Sequence, residues 1–322
     1  LQAGRLEGWP VHDRLRWVET PRWLMPCRGA WDRLDLYHGP NFKMHTTGRS
    51  GGIVTIHDLW LVRHPEYSRK LLGQAGSSRR AIATANRARR VVTVSEFSAR
   101  EIEALYGIPR ERVVVIHNGV TEEFSPVQDE QGMAVLRARW AIPSAGFILF
   151  VGGADPRKNH RVFLQAVAQS RSQLGGRAIL LVGDAEHPQG SYLATARSLG
   201  LEQDVRCTGR LNREDLCRLY SYAEVFVFPS LYEGFGMPVL EAMACGAPTI
   251  TSSTSSLPEV AGDAALLVNP EDAEALGAAM VKVLSEQALR QQLRDRGFER
   301  TRLFTWQRAA LRTSALYREL CA

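Results

Sequence analysis

No apolar run in this sequence approaches the roughly 18 residues that a membrane-crossing helix requires. Nothing near Leu1 has the order of charged, apolar and small residues that marks a secretory signal. The chain is therefore expected to be soluble or peripheral to a membrane. No Asp-x-Asp pair is present to hold a divalent cation, so a site without metal or other cofactor is expected. No strand-like run is followed by GxGxxG, which disfavours a dinucleotide dehydrogenase. The five cysteines, Cys27, Cys207, Cys217, Cys245 and Cys321, are scattered and form no CxxC pair. That excludes a zinc or disulfide framework and leads us to expect small core or surface residues in a reducing, cytoplasmic compartment. Neither sign of charge dominates: 40 Lys and Arg stand against 34 Asp and Glu, a net +6. Such an excess suits a polyanionic small ligand or an anionic membrane surface, and gives no sign of nucleic acid.

What is present is enough for two cores. With 322 residues and 45% hydrophobic content the chain can bury two domains of ordinary size. From Leu34 onward short β-rich runs alternate with amphipathic stretches, the pattern of βα units around parallel sheets. The first half reads as strands at 34–38, 53–57, 91–95 and 113–116 with helices at 79–88 and 97–106. The first 30 residues, with Trp9, Pro10, Trp17, Pro21, Trp23 and Pro26, read as irregular. A polar stretch at 121–132 reads as a linker. The second half restarts with a strand at 147–151, a Gly152-Gly153 turn and a helix from Asn159, and continues with strands at 179–182, 205–208, 225–228 and 249–251. The tail at 304–320 reads as a helix with Trp306, Ala310, Leu311, Ala315 and Leu316 as its apolar stripe. Two doubly wound domains facing each other place a cleft between the carboxyl ends of their sheets. The division expected is 1–127, joined by the helix at 305–322, and 128–304.

One segment concentrates the chemistry. In Glu233-Gly234-Phe235-Gly236-Met237-Pro238-Val239-Leu240-Glu241 a strand gives way to a Gly-rich turn and then a helix. Backbone N–H groups and the positive end of that helix suit a diphosphate. Glu233 on the loop and Glu241 on the helix can accept hydrogen bonds from vicinal hydroxyls of a sugar and a ribose. A nucleotide sugar contains both. In Gly152-Gly153-Ala154-Asp155-Pro156-Arg157-Lys158-Asn159, again between strand and helix, Arg157 and Lys158 are placed to meet the same phosphates and to stabilise a nucleoside diphosphate leaving group.

These segments, together with Val94-Ser95-Glu96-Phe97-Ser98, Asn118-Gly119-Val120 and Phe304-Thr305-Trp306, resemble the retaining glycosyltransferases of family 4 over nearly the whole chain. The resemblance implies an α/β fold of two doubly wound Rossmann-like domains facing across a cleft, the GT-B arrangement. It implies that Glu233 contacts the donor sugar and Glu241 the ribose hydroxyls. Arg157 and Lys158 would bind the diphosphate beside Gly152 and Gly153. Gly234, Phe235, Gly236, Met237, Val239 and Leu240 would line the donor, largely through backbone, and Gly209, Arg210 and Leu211 would lie by the base. His57 matches a first-domain histidine facing the donor sugar. The segments at 36–42 and 56–59 look most like mannosyltransferases acting on bacterial surface polysaccharides, with GDP-mannose as donor and a saccharide or lipid-linked saccharide as acceptor. Family members usually open with a strand and a glycine-rich loop; no counterpart precedes Leu34, so a chain starting short of the family's length is expected.

Simpler readings compete. Surface carboxylates would explain Glu233 and Glu241 less well than the flanking glycines do, and cations beside a helix start are disfavoured unless a ligand compensates. Glu96 and Asn118 read as turn and capping residues. Nine cations between Arg63 and Arg100, among them Arg69, Lys70, Arg79, Arg80, Arg89 and Arg90, form a basic patch that suits anionic lipid on the inner face of the membrane or is a solvated face. A UDP-sugar transferase, a sugar-nucleotide epimerase of similar fold and a non-catalytic nucleotide-sugar-binding module are the alternatives; product analysis with donor alone, and donor binding without turnover, separate them.

Overall fold

The computed structural model describes residues 34–44, 51–67, 74–187 and 190–322. The irregular opening, Cys27, Arg69 and Lys70 lie outside them. The first half builds a parallel sheet in the order β1 (Tyr37–Gly39), β2 (Gly52–Ile56), β3 (Arg90–Thr93), β4 (Val113–Val115). Its helices are α1 (Trp60–Arg63), α2 (Gln74–Arg87) and α3 (Glu96–Tyr106). The β-branched residues of β2 and β3 are buried on both faces, as a parallel strand covered by helices requires. Ser95 caps α3, its Oγ accepting from Ser98 N at 3.0 Å, and Gly107 ends it in the left-handed region at φ 66°.

After α4 (Glu130–Arg139) the second half forms a six-stranded parallel sheet. Its strands are β5 (Phe147–Val151), β6 (Ala178–Val182), β9 (Val205–Gly209), β10 (Val225–Phe228), β11 (Thr249–Ser252) and β12 (Ala265–Val268), in the order β12-β11-β10-β5-β6-β9. A short hairpin, β7 (Glu186–His187) and β8 (Gly190–Ser191), follows β6. The helices are α5 (His160–Ser170), α6 (Tyr192–Ser198), α7 (Arg213–Tyr222), α8 (Met237–Ala244), α9 (Leu257–Ala261), α10 (Ala273–Ser285), α11 (Gln287–Thr301) and α12 (Trp306–Cys321). Apolar layers cover both faces of this sheet, one holding Phe226, Phe228 and Tyr220, the other Phe150, Phe163 and Tyr192.

The α/β architecture read from the sequence is therefore present, with differences in detail. The linker is shorter than 121–132, because α4 begins at Glu130. Asp129 caps that helix through Gly132 N at 2.9 Å and holds Arg218 at 2.7 Å, so a polar stretch became a helix start. The expected first strand shrinks to Tyr37–Gly39, and β12 escaped the pattern because Leu266 and Leu267 are not fully covered. The tail helix is real, but the face it buries is Ala309, Leu316 and Leu320, while Trp306 and Leu311 are exposed. Its rotation is set at its start. Val120 N donates to Phe304 O at 3.0 Å, and a side chain at Gly119 would sit 2.1 Å from Trp306 N, so two motifs distant in sequence lock together there. From that point α12 runs back onto the first sheet and packs on Ile53, Val92 and Ile116. Arg89 and Arg90 of the basic patch hold its far end, on Leu320 O at 3.0 Å and Glu319 at 3.2 Å. Arg63 is paired with Glu101. Part of that patch is thus engaged inside the fold.

Candidate active site

The carboxyl ends of β5 and β10 are neighbours in the sheet, and the loops they release meet over it. After β5, Gly152 leaves room that a Cβ would fill at 3.0 Å from Lys158 Cγ, so the lysine folds back over the strand end. Arg157 and Lys158 sit in a separate turn, Pro156–Lys158, that Asp155 caps through Arg157 N at 2.9 Å. The helix expected from Asn159 starts one residue later, because Asn159 adopts the left-handed region at φ 61°. Its Nδ2 donates to Pro229 O at 3.0 Å and Pro270 O at 2.6 Å, which fastens this loop to those leaving β10 and β12.

After β10 the chain places Glu233 against those cations. Glu233 is 6% exposed; its Oε1 accepts from Lys158 Nζ at 2.7 Å and Ser230 Oγ at 2.7 Å, and its Oε2 lies 3.6 Å from Arg157 Nη1. Burial pushes this carboxyl up, but the charges of Lys158 and Arg157 and the hydrogen bonds from Lys158 and Ser230 outweigh it and hold the group below the ordinary carboxylate range. Lys158 Nζ also stands 4.9 Å over the ring of Phe228. Arg157 Nε is buried without a hydrogen bond, its nearest carboxylate oxygen being Asp155 Oδ2 at 3.8 Å.

Gly236, at φ 109°, turns the chain into α8, whose first turn holds Pro238. Val239 and Leu240 are fully buried in the core and Phe235 is 4% exposed, so only the backbone of these three could reach a ligand. Glu241, one helical stretch further, accepts from Tyr220 OH at 3.3 Å. Its carboxyl is raised by burial, against the pull of Tyr220, Arg213 and Lys158; the same lysine thus acts on both glutamates. A raised value means that stability is fully present below the ordinary carboxylate range and is lost as pH rises through the folded value. Glu241→Gln is therefore expected to raise Tm near neutral pH and leave it unchanged in acid; thermal unfolding of the variant across pH checks both.

The base end of the expected site lies two strands beyond β5, at β9 on the far side of β6. Gly209, at φ 71°, ends β9, and Gly183 N donates to Gly209 O at 3.0 Å. Gly153, at φ 71°, packs beside them: a Cβ on Gly183 would stand 2.4 Å from Gly153 N. Arg210 reaches outward to Asp184 at 2.6 Å, and Leu211 packs on the core.

The first half packs directly against the turn that carries Glu233. His57 Nε2 is held on Pro40 O at 2.9 Å, and a Cβ on Gly234 would meet His57 O at 2.2 Å and Asp58 Cβ at 2.8 Å. His57 and the residue after Glu233 are thus brought together. Tyr232, 5% exposed, inserts into the first half, where its hydroxyl accepts from Leu59 N at 3.1 Å and its ring lies 5.5 Å from Trp60 and 5.2 Å from Phe97. Gly234→Ala is expected to pry this contact apart: turnover should fall by about tenfold or more, as for other small misplacements of a reacting constellation, with nucleoside diphosphate binding retained in calorimetry. Of the two residues expected at turns or caps, Glu96 is the first residue of α3, which Ser95 caps, and it pairs with Arg110 at 2.8 Å.

Sequence reasoning missed the hydroxyls that orient Glu233. Besides Ser230, Ser255 Oγ accepts from Glu233 N at 3.1 Å, with Ser255 itself in the left-handed region at φ 59°, and the single Ser256 hydroxyl proton is shared between Glu233 O at 2.9 Å and Phe235 O at 2.8 Å. The run Ser252-Ser253-Thr254-Ser255-Ser256, directly after a strand, was the available signal. Tyr220 and Asn159 gave none as to partner.

Comparison with known proteins gives the family and the fold. The family described as glycosyl transferases group 1 matches residues 135–300, and glycosyltransferase family 4 matches residues 2–124. The chain is 33% identical over 310 residues to O-antigen chain mannosyltransferase B of Escherichia coli, covering 94% of this chain and 80% of that protein. It is 34% identical over 238 residues to the MMP alpha-(1->4)-mannosyltransferase of Mycolicibacterium hassiacum, covering 72% of this chain and 54% of that one. Against a serotype-specific mannosyltransferase of Escherichia coli the match spans 28% of that longer protein. Among solved structures, sucrose-phosphate synthase from Thermosynechococcus elongatus superposes with a TM-score of 0.75 at 26% identity, over 93% of this chain and 77% of that one. Anabaena HepE, solved with UDP and glucose, gives 0.73 at 19% identity, over 91% and 81%, a likeness of fold.

Proposed function

The chain belongs to the glycosyl transferases group 1, and from that membership we propose that it transfers mannose from GDP-mannose, with retention of configuration, to a saccharide or lipid-linked saccharide acceptor in surface polysaccharide synthesis. The observation that carries the reading is the half-buried pair Lys158 and Arg157 on the buried Glu233 at the adjoining ends of β5 and β10. Lys158 rests on Glu233, and Arg157 lies between Glu233 and Asp155 at 3.6 and 3.8 Å with its Nε making no hydrogen bond, so both cations offer donors that a diphosphate would take up. Glu233 would then be released to accept from sugar hydroxyls, and Glu241 to accept from the ribose.

In this reading Lys158 and Arg157 neutralise the charge that develops on the departing nucleoside diphosphate, and no metal is required of the site. The acceptor hydroxyl attacks from the face the phosphate leaves, and a phosphate oxygen takes its proton; neither glutamate acts as an acid–base pair. Gly209, Arg210 and Leu211 would border the base. The mannose assignment is supported by the mannosyltransferases among the relatives. Peripheral contact with anionic lipid belongs to the same proposal, through the cations of the first half that the fold leaves outward; among the described residues no helix is long and apolar enough to cross a membrane.

The test is a turnover screen of GDP- and UDP-sugars with mannosyl-terminated acceptors, the product read by NMR for anomeric configuration. GDP-mannose as best donor with an α-linked product is expected. Preference for a UDP-sugar, an inverted product, or isomerised donor in place of transfer would each overturn it.

A further inference from the structure

Outside the donor pocket, one carboxylate crosses between the two halves. Glu259, on α9, accepts at Oε1 from Glu96 N at 2.9 Å and at Oε2 from Phe97 N at 3.2 Å, and its Oε1 also meets His117 Nε2 at 2.7 Å. Those two amides open α3 and have no partner within their own helix, since the first turn of any helix leaves its N–H groups unpaired. Ser95 satisfies only Ser98 N. The remaining donors of a first-half helix are thus capped by a side chain from the second half, where the helix dipole also favours negative charge.

The same turn holds the Glu233 loop. Ser95 Oγ and Ser98 Oγ donate to Gly234 O at 2.7 and 3.3 Å. One helix start therefore grips both α9 and the residue next to Glu233. His117, at the exit of β4, stands 6.0 Å from the Phe235 ring and 5.4 Å from Phe304, close to the point where α12 departs. Burial pushes the Glu259 carboxyl up, but His117 and the two amides outweigh it and hold it below the ordinary range. The other charged groups near it are the Arg300 guanidinium, which donates to the Glu259 carbonyl, and Glu96, already paired with Arg110.

We propose that Glu259 is a positioning residue for domain closure: its carboxylate holds the amino terminus of α3, and with it the His57 side of the cleft, against the turn that carries Glu233. It touches no donor atom in this reading. The consequence for turnover rests on the proposed function; the closure itself does not, and is read without substrate.

Glu259→Ala and Glu259→Gln in the full chain test it by hydrogen exchange and small-angle scattering. In the alanine variant exchange at the Glu96 and Phe97 amides should rise by about tenfold or more, with other α3 amides unchanged, and the radius of gyration should increase. Glutamine retains one acceptor oxygen and should fall between wild type and alanine; it carries the test alone if the alanine variant does not fold. With GDP-mannose, kcat should fall by about tenfold while GDP affinity in calorimetry stays within about twofold, since the phosphate donors lie in the second half. Unchanged exchange at the two amides together with an unchanged scattering curve overturns the proposal. So does a loss of GDP affinity that parallels the loss of kcat. A wild-type protein that shows no transfer at all, with the exchange result intact, would remove the functional reading and leave the closure standing.

Discussion

Glu233→Ala is expected to lower transfer by about 10²–10³-fold or more, the size of effect seen when a positioned group facing the reacting centre is removed. Nucleoside diphosphate binding should survive. The reason lies in what the carboxylate does before any ligand arrives: it compensates Lys158 and Arg157, whose side chains are only 13% and 20% exposed. Removing the carboxylate leaves Lys158, and in part Arg157, uncompensated, at a cost that their remaining exposure and Asp155 beside Arg157 keep below the roughly 3–5 kcal/mol of a fully buried pair. The ligand-free variant should therefore melt earlier than wild type. Phosphate oxygens would occupy the vacated place, so a nucleoside diphosphate should recover more of the variant's Tm than it adds to the wild type. The pH dependence has a definite sign. A depressed carboxylate contributes stability above the ordinary carboxylate range and loses it as pH falls through the folded value, so this part of the acid sensitivity should vanish in the variant. Turnover assays, calorimetry and thermal unfolding read the three effects. Near-normal turnover, or loss of nucleoside diphosphate binding together with turnover, would sink the role assigned to Glu233.

Lys158→Met should lower binding and turnover together. Methionine keeps the reach and the apolar stem that Gly152 accommodates, and removes the charge. Nucleoside diphosphate affinity should fall by about tenfold to a hundredfold, the range for a lost charge-assisted hydrogen bond to phosphate. kcat/KM should fall further, because the same cation faces the charge that develops on the leaving group. Glu233, left with Ser230 and a more distant Arg157, would lose its principal compensation, and its carboxyl should titrate at higher pH than in wild type. Calorimetry gives the affinity, steady-state kinetics the split, and carboxylate NMR the titration. An unchanged affinity would remove Lys158 from the phosphate site.

Much of this site was legible because its parts are local. Gly236 at a positive φ, Pro238 in the first turn of α8 and the turn that Asp155 caps are decided by residues within a few positions of one another. The alternation that gives two parallel sheets is likewise read over stretches of ten or so residues. The boundaries of the linker and the phase of α12 were not legible. The first depended on Arg218 holding Asp129, and the second on Gly119 meeting Trp306, contacts between positions far apart in the chain.

By itself, then, the sequence determined the element types and the turn chemistry, and singled out two glutamates and two cations as candidates. Only the tertiary structure decided that Lys158 pairs with Glu233, that Tyr232 is received by the first half, and that Glu259 caps a helix it does not belong to. The order of the strands is the physical cause: β5 lies beside β10 although Lys158 and Glu233 are separated by 75 positions, and no local periodicity encodes which strand will be a neighbour.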